Sequence, residues 1–126
     1  MVRGWAVVVL ALGVPLAVWA EDAGNWVGRW PSEMLADPGW VAALRDMAGS
    51  EGVQRLTFAM GVEEPVARQG SWVVATGCAP HLCGEVMGGF AVSVLTGRIV
   101  AVVRDDAGIT VWGGDLPAAL AGIAAP

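Results

Sequence analysis

The chain has 126 residues, a one-domain length, and its 56% apolar and 15% charged composition supports a packed core and excludes general disorder. Twelve acids stand against seven arginines, with no lysine, for a net charge of −5. Such a surface lacks the basic patches that phosphate recognition needs, so a nucleic-acid partner is not expected and a cationic partner is favoured.

Met1–Ala20 reads as a secretory leader. Arg3 supplies a positive start, Trp5 to Val14 form an unbroken apolar and glycine run, and Pro15 breaks it. Val18-Trp19-Ala20 then offers a cut before Glu21-Asp22, and no cysteine nearby suggests lipid attachment. The apolar run is shorter than the ~20 residues of a comfortable membrane span, so no stable membrane insertion is expected after cleavage. An uncleaved anchor is the alternative. Removing the leader takes away one arginine and no acid, moving the net charge from −5 to −6. The expected location is the periplasm.

Residues 21–36 read as a mobile entry segment that ends in a short helical turn from Ser32 to Ala36. The domain proper is expected over 37–126. Asp37 is a good N-cap and Pro38 suits the first helical position. Trp40, Ala43, Leu44 and Met47 then fall on one helical face, and Gly49 ends the helix. From Arg55 the period shifts to two, and Leu56 to Met60 is expected as a strand. Val66 to Arg68 is expected to pair with Trp72 to Thr76 across Gln69-Gly70-Ser71. Met87 to Leu95 is the next strand, with Gly88-Gly89 hinting at a bulge or twist. Arg98 to Arg104 follows, with Ile99, Ala101 and Val103 on one face. A turn at Asp105–Gly108 returns the chain as Ile109 to Trp112. Asp115 should cap a last helix, with Pro117 in its first turn and Leu116, Ala119, Leu120 and Ile123 on its apolar face. The fold class is therefore α+β: an antiparallel sheet of about five strands with helices packed on one face and a protruding loop.

That loop is Gly77-Cys78-Ala79-Pro80-His81-Leu82-Cys83-Gly84, which joins two strands and carries the one histidine of the chain. Both cysteines lie in the exported part, where oxidation is permitted and the even count leaves no thiol over. If they bond, the six-residue ring adds only about 2 kcal/mol to global stability. Its purpose is then to hold the loop in one shape. Pro80 stiffens it further, and Gly77 and Gly84 let the chain bend into and out of the ring. The result is a rigid knuckle with His81 near its tip, which would lose little entropy on docking. Four readings are open on chemistry alone. They are a stapled hairpin with an incidental histidine, a metal site on Cys78, His81 and Cys83, a redox pair, and cysteine–histidine nucleophilic catalysis. The metal reading lacks a fourth ligand, the C-x₄-C spacing is not that of C-x-x-C redox sites, and the catalytic pair is too constrained to face one substrate.

The run Cys78-Ala79-Pro80-His81-Leu82-Cys83 is similar to the Cys-Lys-Pro-His-Asp-Cys loop of the Ivy family, inhibitors of vertebrate lysozyme. The surroundings resemble that family too: an export signal, a helix and strands before the loop, and Thr110-Val111-Trp112 leading into a small C-terminal helix. The resemblance spans Trp40 to Pro126. It implies a Cys78–Cys83 disulfide and an inhibitory loop with His81 as the key residue. That loop would insert between the two catalytic carboxyls of c-type lysozyme and protect the cell wall. It implies a non-enzyme with no cofactor and no metal, and leaves a homodimer open. Ala79 and Leu82 depart from the family's lysine and aspartate, which points to a shifted target such as another muramidase or the cell's own lytic transglycosylase.

Two further function classes compete. An envelope-binding module would use Trp26 or Trp30 to stack on glycan or to meet a protein partner. An enzyme would need paired carboxylates, but Glu63-Glu64 and Asp105-Asp106 sit in turn-like polar runs expected to be solvated, as does Glu85 at the rim of the loop.

Overall fold

A computed structural model describes residues 23–125. The leader expected over Met1–Ala20 lies outside the described residues. From Ala23 onward the entry segment is pinned and not loose. Ala23 is buried, a 3-10 turn covers Gly24–Trp26, and the Arg29 guanidinium lies 4.3 Å above the Trp26 ring. The Gly28 N–H donates to the Val66 carbonyl at 2.7 Å and the Val66 N–H donates back to Arg29 at 2.8 Å, tying this stretch to the sheet.

Helix α1 is Pro31–Ala36. The Glu33 carboxylate accepts the Trp30 N–H at 2.9 Å and pairs with Arg29 at 2.9 Å. The Trp30 backbone bond first, and Arg29 second, hold the Glu33 carboxyl below its ordinary value. Helix α2 is Pro38–Ala59. Its start is the expected one, with the Asp37 side chain accepting the Trp40 N–H at 2.9 Å. Gly49, at φ 76° and ψ 168°, interrupts it, so α2 is two helical halves joined at a kink.

The second half corrects the strand expected over Leu56–Met60. Alternation would place Leu56, Phe58 and Met60 on one face. Instead Gly52, Leu56 and Ala59 are buried at helical spacing and Phe58 is 58% exposed. Packing of that stripe on the sheet decides a window whose local pattern fits either element. Gly88 makes the packing close: a Cβ there would sit 2.9 Å from the Ala59 Cβ.

The strands are β1 Val62–Glu63, β2 Ala67–Gln69, β3 Trp72–Cys78, β4 Met87–Ser93, β5 Ile99–Asp105 and β6 Gly108–Trp112, all antiparallel. β3 to β6 form a meander. β1 and β2 share the outer edge of β3, β1 beside Gly77–Cys78 and β2 beside Trp72–Val74. The β2–β3 hairpin turns over Gly70-Ser71 as expected, with Gln69 opposite Trp72 and Gly70 at φ 62°. β1 has no counterpart in the expected elements.

One face of the sheet presents Val73, Ala75, Phe90, Val92, Ala101 and Val103 to α2, with the Trp40 and Phe90 rings 5.6 Å apart. The opposite face presents Val74, Ala91 and Val102 to the C-terminal segment. The helical layer is thus extended: α2 covers one face as expected, and the short C-terminal element covers the other. That element is a 3-10 turn Ala118–Leu120 followed by α3, Ala121–Ala124. It starts later than expected because Pro117 is extended (ψ 156°), and Asp115 does not cap it. The expected apolar face is right, with Leu120 and Ile123 buried and Leu116 and Ala119 packed beside them. No bulge occurs at Gly88-Gly89, where the ladders to β3 and β5 run unbroken. These glycines serve close approach, Gly88 to α2 and Gly89 to α3; a Cβ at Gly89 would lie 2.6 Å from the Ile123 Cδ1.

Candidate functional site

The β3–β4 connection is built on the last pair of the ladder, Cys78 opposite Met87. The Ala79 N–H donates to the Val86 carbonyl at 2.9 Å, carrying the pairing one step further. The chain then reverses over Ala79-Pro80-His81-Leu82, closed by the Leu82 N–H donating to the Ala79 carbonyl at 3.0 Å. Proline in the second position and a positive φ in the third make this a type II turn. His81 holds that third position at φ 66°. Among the described residues it is the one non-glycine with a positive φ. An L-residue there costs about 1–2 kcal/mol, which is why glycine or asparagine is usual.

Several features hold the histidine in place. Cys78 and Cys83 are disulfide-bonded, with their Cα atoms 4.9 Å apart. The Leu82 carbonyl accepts the N–H groups of Glu85 and Val86, both at 2.9 Å, and Gly84 turns at φ 95°. Arg104 on β5 donates from Nη2 to the Gly84 carbonyl at 2.7 Å and from Nη1 to Ala125, linking the exit of the loop to the C-terminal segment. The root of the knuckle is inside the protein, where Ala79 is fully buried, and exposed Pro80 seats on Gly61, a Cβ on which would meet its Cδ at 2.9 Å. The tip, from Pro80 to Gly84, is exposed. Among the described residues, no protein group hydrogen-bonds the His81 imidazole.

The knuckle thus brings together all six residues singled out in the sequence, Cys78, Ala79, Pro80, His81, Leu82 and Cys83. Their placements differ: Ala79 is the buried root, His81 the exposed tip and Leu82 a flank. Gly84 bends the exit as expected. Gly77 acts otherwise, lying inside β3 where a Cβ would come 2.6 Å from the Val62 carbonyl oxygen. Both sulfurs are taken up in the disulfide, so thiolate ligation of a metal beside His81, or thiolate attack, has no thiolate to draw on. Among the described residues there is no cluster of three or more histidine, cysteine or acidic side chains placed to hold a metal ion.

Of the residues beside the knuckle, Arg55, Phe58, Val86 and Arg104 were not candidates in the sequence, whereas Glu85, Asp105 and Asp106 were expected only as solvated carboxylates. An open hollow of about 460 Å³ lies on its Leu82 side, lined by Arg55, Phe58, Leu82, Glu85, Val86, Asp105 and Asp106. Arg55 donates to Asp105 at 2.9 Å and to the Thr110 hydroxyl at 3.3 Å, and Asp105 also accepts the Ala107 N–H. Arg104 and Phe58 carry no local motif. They come into position only through strand register and helix length.

Trp30, a candidate for glycan stacking, is 48% exposed, while Trp26 is covered by Arg29 and packs toward the core. Glu63 is engaged with Ser32, whose N–H and hydroxyl both donate to its carboxylate.

The family model described as inhibitor of vertebrate lysozyme (Ivy) matches residues 39–123, and the chain belongs to that family. No curated protein and no solved structure matches it.

Proposed function

We propose that this member of the inhibitor of vertebrate lysozyme family stops a c-type lysozyme by inserting the Cys78–Cys83 knuckle into the catalytic cleft, with His81 between the two catalytic carboxyls. The observation that carries this reading is the exposed His81 on a left-handed turn position, above a buried and cross-linked root. Glycosidases of the retaining kind hold two carboxyls roughly 5 Å apart. A protonated imidazole has a donor on each side of a flat ring and can satisfy both, and charge-assisted bonds in a dry cleft are the strong ones. The inhibitor performs no reaction. It excludes the sugar by occupying its place, at small entropic cost because the loop is already ordered.

The disulfide and the leader-like start of the chain support action outside the cytoplasm, in the periplasm. The test is clearing of a cell-wall suspension by hen lysozyme, with wild-type protein and His81→Ala compared. Potent inhibition by the wild type and its loss in the variant are expected, and equal potency would overturn the mechanism. Exposed Leu82, where the family carries an acid, favours a second target with a more apolar cleft edge, and the cell's own lytic transglycosylase is the reading to test beside it. Unchanged transglycosylase activity under a large excess of the protein would remove that reading.

A further inference from the structure

The hollow beside the knuckle is chemically two-sided. Part of its lining is apolar, from Phe58 at 58% exposure, Leu82 at 36% and half-buried Val86. The rest carries three carboxylates against one guanidinium. The guanidinium is already spent, since Arg55 is paired with Asp105. Glu85 and Asp106 are both exposed and, among the described residues, neither has an ion-pair partner. An exposed phenylalanine beside an exposed leucine gains by being covered, because apolar area is removed from water. Two unpaired carboxylates in the same lining set the sign of what covers them. A side chain with an aliphatic stem and a cationic head meets both demands, with its stem against the apolar residues and its head at the carboxylates.

We infer that the hollow lined by the apolar Phe58, Leu82 and Val86 and the acidic Glu85 and Asp106 is a socket for a lysine or arginine side chain of the target protein. This deepens the inhibitory reading and rests on it for the identity of the partner. The socket adjoins the knuckle through Leu82, so its occupant lies at the edge of the same cleft that receives His81. His81 then fixes where the inhibitor binds, and the socket selects targets that carry a basic residue on the cleft rim. Leu82, a departure from the family's loop, supplies part of the apolar lining.

Two measurements test this. In the first, inhibition of hen lysozyme is measured at about 50 and about 300 mM salt, since screening weakens exposed charge pairs over this range. Wild type is compared with Glu85→Lys/Asp106→Lys and with a control pair of equal charge change, Asp46→Lys/Glu51→Lys, at exposed positions on either side of Gly49. The socket pair should weaken inhibition roughly tenfold at low salt, with the gap closing at high salt, and the control pair by less than about threefold. No effect of the socket pair, or an equal effect of both pairs, would overturn the inference. In the second, a blocked lysine, Nα-acetyl-lysine methylamide, is titrated against isotope-labelled wild type. Shifts should gather at the amides of Phe58, Leu82, Val86 and Asp106 and vanish in the socket variant. Shifts spread over the whole acidic surface, or shifts at these amides on raising protein concentration alone, would count against it. The second measurement needs no enzyme, so a wild type that fails to slow lysozyme would sink the inhibitory reading and still leave the socket judged on its own.

Discussion

Both ends of β3 carry a reversal with one residue at positive φ, a glycine at the second turn position in one and a histidine at the third in the other. At its start, the β2–β3 hairpin places Gly70 at φ 62°, and a Cβ there would meet nothing within 4 Å. At its end, the knuckle places His81 at φ 66°. Glycine enters that region without strain, and histidine does not. The Gly70 turn has one side-chain support, Arg68 Nε donating to the Gly70 carbonyl at 2.6 Å, whereas the His81 turn is surrounded by a disulfide, a proline, a buried alanine root and an arginine clamp. The difference teaches that this backbone could have been made more cheaply with glycine. A side chain is kept at the strained position, exposed, where it adds nothing to the core. Strain held in place by its surroundings points to use of the side chain.

The comparison can be broken in graded ways. The largest effect is expected at the imidazole: His81→Ala should weaken lysozyme inhibition by about 2–5 kcal/mol, roughly thirtyfold to more than a thousandfold, by leaving the enzyme's carboxyls unpaired. Titration of hen lysozyme activity checks this, with thermal unfolding confirming that the fold is kept. Next comes the clamp. Cys78→Ala/Cys83→Ala should lower unfolding free energy by about 2 kcal/mol, read by urea denaturation, and should also weaken inhibition as the loop loses its order.

The sharpest contrast is a pair of substitutions expected to move stability in opposite directions. His81→Gly should raise unfolding free energy by about 0.5–1 kcal/mol while abolishing inhibition, and Gly70→Ala should lower it by about 1 kcal/mol while leaving inhibition intact. If both turns respond alike, His81 is not strained and the contrast between the ends of β3 disappears. The smallest effect concerns Glu33. Its carboxyl is held below the ordinary value by the Trp30 N–H and then by Arg29, so its contribution is present above the ordinary carboxylate range and lost as pH falls through the lowered value. Being fully exposed, it should shift the acid limb of the unfolding curve only slightly, and Glu33→Gln should remove that shift without touching inhibition.

Much of this architecture is legible in the residues themselves. The Asp37-Pro38 cap, the Gly70-Ser71 hairpin turn and the three long strands follow from local chemistry that tertiary contacts only reinforce. The apolar runs Val73-Val74-Ala75, Phe90-Ala91-Val92 and Val100 to Val103 carry a signal that both sheet faces are covered, since a half-solvated sheet would alternate, and the expectation of helices on one face passed over it. What was not legible depends on distance in the chain. Leu56–Met60 fits a strand as well as a helix until the sheet selects the helical stripe. The two residues of β1 make too short a pattern to stand out, and are fixed by the close approach of Val62 to Gly77. At the site, the cysteine ring and His81 form one contiguous motif. The hollow draws Phe58, Leu82 and Asp106 from three separate segments, and no spacing rule joins them.

The claim that the imidazole engages two acids at once has a direct readout, because the chain contains a single histidine. Isotope-labelled protein titrated with unlabelled hen lysozyme reports on both ring nitrogens of His81 by NMR. Binding should bring both N–H protons into view as slowly exchanging, strongly hydrogen-bonded signals. A ring whose resonances stay as they were in the unbound protein, in a complex where the lysozyme is nonetheless inhibited, would contradict the account.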